Sequence, residues 1–420
     1  MNALKGSRTA KVFAGIALIS ASAIVIAGCS STPSSESGGS DKPAADLTLK
    51  LGSLLPQTGS LAFLGPPMES GVGLAVQEVN EAAAGVTIDL TAEDEGDTDT
   101  KAYETSITKL QGAGVSAIVG AAASGVSKLI LDGNVSAGIL QISASNTSPD
   151  FTTWDDSGLY FRTAPSDLLQ GEVLGNLIAE DGAKSLGIIY QNDAYGTGLY
   201  GVVKKVFEST GGTVVAEASY NDGDSSFDAQ VATIAAAKPD AVVAITFDQF
   251  ATIAPLLVNA GQQAKNFYLV DGNLKQWGSQ VSVSLEGAKG TTPGPVLEDD
   301  FKDRLNKAWT GAGNSALEDY SYAAESYDAV VLLALASLAS GSTTGTDIAG
   351  KLQEVSGGSG DGKKCTSFSE CADIIIGGGV ADYDGYSGPV TFDENGDPTQ
   401  ASIGIFQYGA DNTHTRVDTR

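Results

Sequence analysis

Residues 54–80 read LLPQTGSLAFLGPPMESGVGLAVQEVN. Two leucines close an apolar strand that runs back to Leu47, a Gly/Ser turn follows, and a helix is predicted over 67–83. From there short β-rich runs alternate with longer amphipathic or Ala-rich segments, the signature of βα units around parallel sheets. Further strands are predicted at 86–93, 116–120 and 139–143, separated by helices at 100–111 and 127–135. One open α/β lobe is accounted for by about residue 164. The alternation then restarts, with strands at 186–190, 213–218, 241–246 and 267–270 and helices near 168–179, 199–209, 227–236 and 251–260. After GTTPG at 290–294 the pattern turns mainly helical, notably over 322–339, whose Ala/Leu/Val content suits a buried helix.

The amino terminus carries an address. Lys5, Arg8 and Lys11 precede a 16-residue apolar run, residues 12–27, and Ile26-Ala27-Gly28-Cys29 looks like a bacterial lipoprotein lipobox. That run is short of the ~20 residues needed to span a bilayer, so residues 1–28 read as an export signal. The resemblance implies cleavage before Cys29 and acylation of its sulfur. Residues 29–46, Ser/Gly/Pro-rich and without apolar periodicity, read as a flexible spacer lifting the folded part off the membrane.

Composition sets further bounds. The 392 residues after the signal exceed the length at which single cores stop growing. Formal charge is −27 for the whole chain and −30 once the signal is removed, a polyanion that repels nucleic acid and anionic headgroups. Membrane contact is therefore expected through the lipid. With Cys29 modified, Cys365 and Cys371 remain as a pair separated by Thr-Ser-Phe-Ser-Glu. A disulfide across so small a loop stabilises by roughly 2 kcal/mol. A free thiol pair is its alternative; a zinc site lacks a neighbouring histidine.

Several segments resemble, in order, the leucine/isoleucine/valine-type solute-binding proteins of ABC importers. They are residues 54–80, EDEGDTDT at 93–100, SAIVGAAASG at 116–125, ISASNTSPDFT at 142–152, YQNDAYGTG at 190–198 and YDGYSGPVTFDENGD at 383–397. The resemblance implies a type I periplasmic-binding-protein fold, two Rossmann-like α/β lobes with parallel sheets joined by a three-strand hinge and closing on a small ligand. Lobe 1 is expected at 47–164 plus 293–386 and lobe 2 at 165–292 plus 387–420. It further implies a monomer that hands a branched-chain or related amino acid to an ABC permease at the outer face of the cytoplasmic membrane.

An amino acid needs donors for its carboxylate, an acceptor for its ammonium and a pocket for its side chain. Ser124 follows a strand and opens a helix, where a positive helix end favours a carboxylate; the same position suits an ordinary N-cap. Thr147 lies just beyond a strand end in SASNTSP (143–149), in the crevice where open α/β sheets bind ligands. By family position its hydroxyl and amide take the carboxylate, the Ser145 carbonyl takes the ammonium, and Asn146 lies between them. Asp271 ends the strand at 267–270 and matches the family's acid for the ammonium; Tyr195 is the matching aromatic. Phe63, Leu64 and Phe247 are expected to wall the side-chain pocket. Leucine-like ligands are favoured, with small polar amino acids, amides and urea derivatives kept open.

No cofactor or metal is expected. His414 is the one histidine, so histidine-based acid/base chemistry has almost nothing to work with. Walker, dinucleotide and HExxH patterns are missing, and the acidic clusters at 93–95, 382–384 and 393–397 do not complete an EF-hand. A binding protein is the reading, with a tethered signalling co-receptor as its competitor.

Overall fold

The structure is a computed structural model that describes residues 46–420. The export signal, Cys29 and the spacer through residue 45 lie outside the described residues.

The quoted stretch folds as strand β1 (Leu47–Leu55), a turn, and helix α1 (Gly65–Ala82). There follow β2 (Val86–Asp94), α2 (Ala102–Ala113), β3 (Ala117–Gly120), α3 (Ser124–Ser136), β4 (Leu140–Ser143) and β5 (Tyr160–Arg162). These strands form one sheet in the order β2-β1-β3-β4-β5, every pair parallel. β3 and β4 are buried along their whole length, as expected of parallel strands covered on both faces.

A second set begins with α4 (Asp167–Glu180), β6 (Ser185–Gln191), α5 (Ala194–Ser209), β7 (Thr213–Tyr220) and α6 (Asp228–Ala237). It continues through β8 (Ala241–Ile245), α7 (Phe250–Asn259), β9 (Phe267–Leu269) and β10 (Lys289–Pro293). The helical stretch comprises α8 (Asp299–Gly311), α9 (Ala323–Ser340) and α10 (Gly345–Val355), then β11 (Lys363–Cys365), α11 (Phe368–Ile376), β12 (Ala381–Gly385) and β13 (Gly388–Pro389). β14 (Ile403–Tyr408) and β15 (His414–Thr419) close the chain. The second sheet has the order β15-β14-β10-β9-β8-β6-β7, parallel from β7 to β10 and antiparallel beyond.

The stretch GTTPG, taken from sequence as a break, is thus largely an interior strand. Its Pro293 stands at the last ladder position, where the missing N–H does least harm. Cys365 and Cys371 form a disulfide between β11 and α11. α9 is almost wholly buried and packs on α1 and the first sheet. Gly71 permits that approach, because a Cβ there would stand 2.2 Å from the Ala323 carbonyl oxygen.

The chain passes between the two sheets three times, after β5, after β10 and before β14. Arg162, with its side chain fully buried, ties the first crossing to the third. Its Nε and Nη2 donate to the two Asp397 oxygens at 2.6 and 2.7 Å, and Nη1 donates to the Ser148 carbonyl at 2.8 Å. The bidentate geometry and extra carbonyls are what a buried guanidinium requires to offset its desolvation. Asp397→Ala leaves that charge buried and unpaired, and should lower unfolding free energy by about 3–5 kcal/mol in urea denaturation.

Candidate functional site

In open α/β sheets, ligands gather at the carboxyl ends of strands where the strand order reverses. The first sheet reverses between β1 and β3, the second between β6 and β8. The loops leaving β1, β3 and β4 therefore face those leaving β6, β8 and β9. Leu61, Leu64, Ala122, Ala123, Ser124 and Ser145 come from the first set; Tyr195, Phe247, Asp271 and Gly272 come from the second, and Tyr322 joins them from the α8–α9 connection. Together they line one cavity.

Asp271 is the chemical centre of that cavity. Tyr195 OH and Gln170 Nε2 donate to its Oδ1 at 2.7 and 2.8 Å, and Tyr322 OH donates to Oδ2 at 2.7 Å. Burial pushes its pKa up, against the lowering effect of the hydrogen bonds from Tyr195, Tyr322 and Gln170. The Tyr195 ring stacks on Phe247 with centroids 5.4 Å apart. Asp167, also buried, accepts from Thr147 Oγ1 at 2.9 Å through Oδ2, while its Oδ1 and Gln170 Oε1 have no partner among the described residues. Burial, and then the charge of Asp271, raise the Asp167 pKa well above the ordinary value. Among the described residues no lysine or arginine lines this cavity. Asp271 and Asp167 are two neighbouring buried carboxyl groups with two unpartnered acceptors beside them, and the guanidinium whose charge Asp167 feels, Arg162, is committed to Asp397.

The lobes are shut. Thr98 donates to Asp222 Oδ2 from both its amide and its hydroxyl, at 3.1 and 2.6 Å, and the Asp248 amide donates to the Ser60 carbonyl at 3.2 Å. The remaining cavity is about 10 Å³, roughly the space of one water. A solute of amino-acid size enters only when the lobes part.

The expected residues do not all reach the cavity. Ser124, Ser145, Tyr195, Asp271, Leu64 and Phe247 line it; Phe63, Asn146 and Thr147 do not. The Asn146 amide is spent on the Ala121 and Ala122 carbonyls at 3.1 and 2.7 Å, and the Thr147 hydroxyl on Asp167. Phe63 stands in a neighbouring groove under the Lys275 ammonium, 5.1 Å from its ring centre. Ser124 is not an N-cap; its hydroxyl accepts from the Ser148 amide at 3.4 Å. The loop before α3 is instead held by Glu95, whose oxygens accept from the Ala122 and Ala123 amides at 2.6 and 2.7 Å. Glu95, Asp167, Gln170 and Tyr322 were missed from sequence. Tyr322 carried no local signal, whereas Glu95 sat in an acidic cluster weighed as a calcium site.

This arrangement defines a two-lobed α/β receptor that closes on a small solute. A family model described as periplasmic binding protein matches residues 48–372. The chain belongs to that family. A leucine-, isoleucine-, valine-, threonine- and alanine-binding protein of Pseudomonas aeruginosa is 28% identical over 69% of this chain and 78% of its own. A chemotactic signal transduction system substrate-binding protein of Halobacterium salinarum is 26% identical over 81% of this chain and 82% of its own. A leucine-binding protein structure from Thermotoga maritima superposes with a TM-score of 0.70, at 20% identity, over 88% of this chain and 98% of that one.

Glu95 also links the site to stability. Burial pushes its pKa up to about 8 from 4.5, so in that interval the folded state holds more proton than the unfolded one and stability falls as pH rises. His414, lowered by burial from 6.5 to about 4, acts in the opposite sense only below pH 6.5. The urea midpoint should therefore drop between pH 6.5 and 8, and Glu95→Gln should reduce that drop.

Proposed function

We propose that the protein is a lipid-anchored, extracytoplasmic solute-binding protein that delivers a small ammonium-bearing solute, a branched-chain or related amino acid, to an ABC importer. The observation that carries this reading is the Asp271 carboxylate, buried in a cavity with walls from both lobes. Its donors are Tyr195 and Gln170 on one side and Tyr322 on the other. An ammonium placed there makes charge-assisted bonds worth about 1.5–3 kcal/mol each. Leu61, Leu64 and Phe247 supply apolar contact for an alkyl side chain.

The mechanism is binding without turnover. The lobes, residues 47–164 with 293–386 and residues 165–292 with 387–420, part to admit solute and close on it. A solute that contacts both shifts the population toward the closed form, which the permease recognises. The lipobox-like residues 26–29 support a tether at the outer face of the cytoplasmic membrane, with the chain acting as a monomer. A second reading, a tethered sensing co-receptor, draws on the Halobacterium relative; co-purification with a permease rather than a signalling receptor separates the two.

A thermal-shift panel of amino acids, amides and urea tests the ligand class, because binding to the folded state raises the melting temperature by mass action. Branched-chain amino acids should raise it, and Asp271→Ala should weaken ammonium-bearing ligands about tenfold or more while affecting uncharged amides far less. Equal losses for both classes would remove Asp271 from the ammonium role. Affinity for an ammonium ligand should also rise as pH increases through the raised pKa of Asp271, since only the ionised carboxylate attracts it.

A further inference from the structure

A groove of about 690 Å³ lies on the hinge side, within the size range of small-molecule sites. One wall is the second crossing, Thr292 to Leu297; others come from the segment entering α9 and from the β14–β15 hairpin. Tyr322 belongs to both this groove and the Asp271 cavity, so a single side chain separates them.

The polar groups of the groove are unequally satisfied. Arg416 is committed: Nη2 donates to the Gly294 and Pro295 carbonyls at 3.0 and 3.2 Å, Nη1 donates to Thr419 Oγ1 at 3.2 Å, and the guanidinium lies over the Phe406 ring. Glu325 is 4% exposed, and among the described residues no side chain donates a hydrogen bond to its carboxyl group, which takes one from its own backbone N–H. Its oxygen faces Gly294, where a Cβ would stand 3.0 Å away. Burial raises its pKa to about 8. His414 is packed edge-on against Phe406 and Tyr408 with the Leu274 carbonyl near, and among the described residues neither ring nitrogen has a hydrogen-bond partner of good geometry. Burial keeps the ring neutral at pH 7, so it presents an acceptor. A buried carboxyl group, ionised as pH passes about 8, and a neutral imidazole thus stand beside aromatic faces; the Arg416 guanidinium is already spent, and Lys302, which also lines the groove, is paired with Asp299.

We propose that this groove is a second solute site, separate from the Asp271 cavity, that takes a small organic cation with an aromatic or alkyl body. The ammonium sits between Glu325 and His414, and its body lies along Phe406 and Tyr320. Because the groove's walls come from strands of the second sheet, from a crossing and from the start of α9, which packs on the first sheet, an occupant there biases lobe closure and is coupled to the principal ligand.

Calorimetric titration of the purified full-length chain at about pH 9, where Glu325 is mostly ionised and an alkylamine is still mostly cationic, with phenethylamine against phenethyl alcohol as the uncharged control, tests this. Two binding events are expected with the amine and a clear loss of the hinge-side event with the alcohol. Glu325→Gln, nearly isosteric, should weaken the hinge-side event about tenfold or more and leave the other in place. Asp271→Asn should do the reverse. His414→Phe, which keeps the ring packing, provides a second variant and should also weaken the hinge-side event. A single event abolished by Asp271→Asn and untouched by Glu325→Gln and His414→Phe would overturn the second site while leaving the principal one standing. No event in any form of the protein would overturn it too. Loss of only the Asp271-dependent event would count against the principal site alone.

Discussion

The closed structure depends on the Asp271 carboxylate and the donors gathered around it. A buried carboxylate is tolerated only when its oxygens are hydrogen-bonded, and here one of its donors, Tyr322, comes from an element packed with the first sheet while the acid ends a strand of the second. Closure therefore completes the solvation of Asp271, and opening removes part of it. Asp167 lies close enough for its charge to be felt, although Asp271 alone of the two lines the shut cavity, and no lysine or arginine lines it among the described residues. In the reading proposed above, an ammonium ligand supplies the missing positive charge, while its side chain is left to the softer contacts of Leu61, Leu64 and Phe247.

The architecture was legible because βα units announce themselves by period. β1 and the strands at 117–120, 185–191 and 241–245 fall within a residue or two of the hydrophobic runs that predicted them. Of the residues that line the cavity, Ser124 was placed from pattern, as the residue between a strand and a helix, whereas Tyr195 and Asp271 were placed by the family resemblance. What escaped was long-range. Arg162 and Asp397 are 235 residues apart, and nothing in either segment names the other. Tyr322 reaches Asp271 only because α9 is docked on α1 through Gly71. Asn146 and Thr147 were correctly placed beyond a strand end, yet the loop folds inward, and its polar groups bond to the neighbouring loop and to Asp167.

The crossings explain how two lobes can move without separating. Arg162, buried and bidentate with Asp397, pins the first crossing to the third near the middle of the molecule. The rims, by contrast, touch through a few polar bonds, Thr98 to Asp222 and Ser60 to Asp248, that water can replace. A strong pivot and weak lips suit a structure that must open and close repeatedly.

The central claim is that solute, held by both lobes, selects the closed form. The direct measurement is the distance between spin labels at Glu104→Cys on α2 and Lys205→Cys on α5, both exposed positions on opposite lobes. The account predicts a broad, longer distribution without ligand that collapses to one shorter distance when a stabilising amino acid saturates the protein. A distribution unchanged by a ligand that demonstrably binds would contradict it.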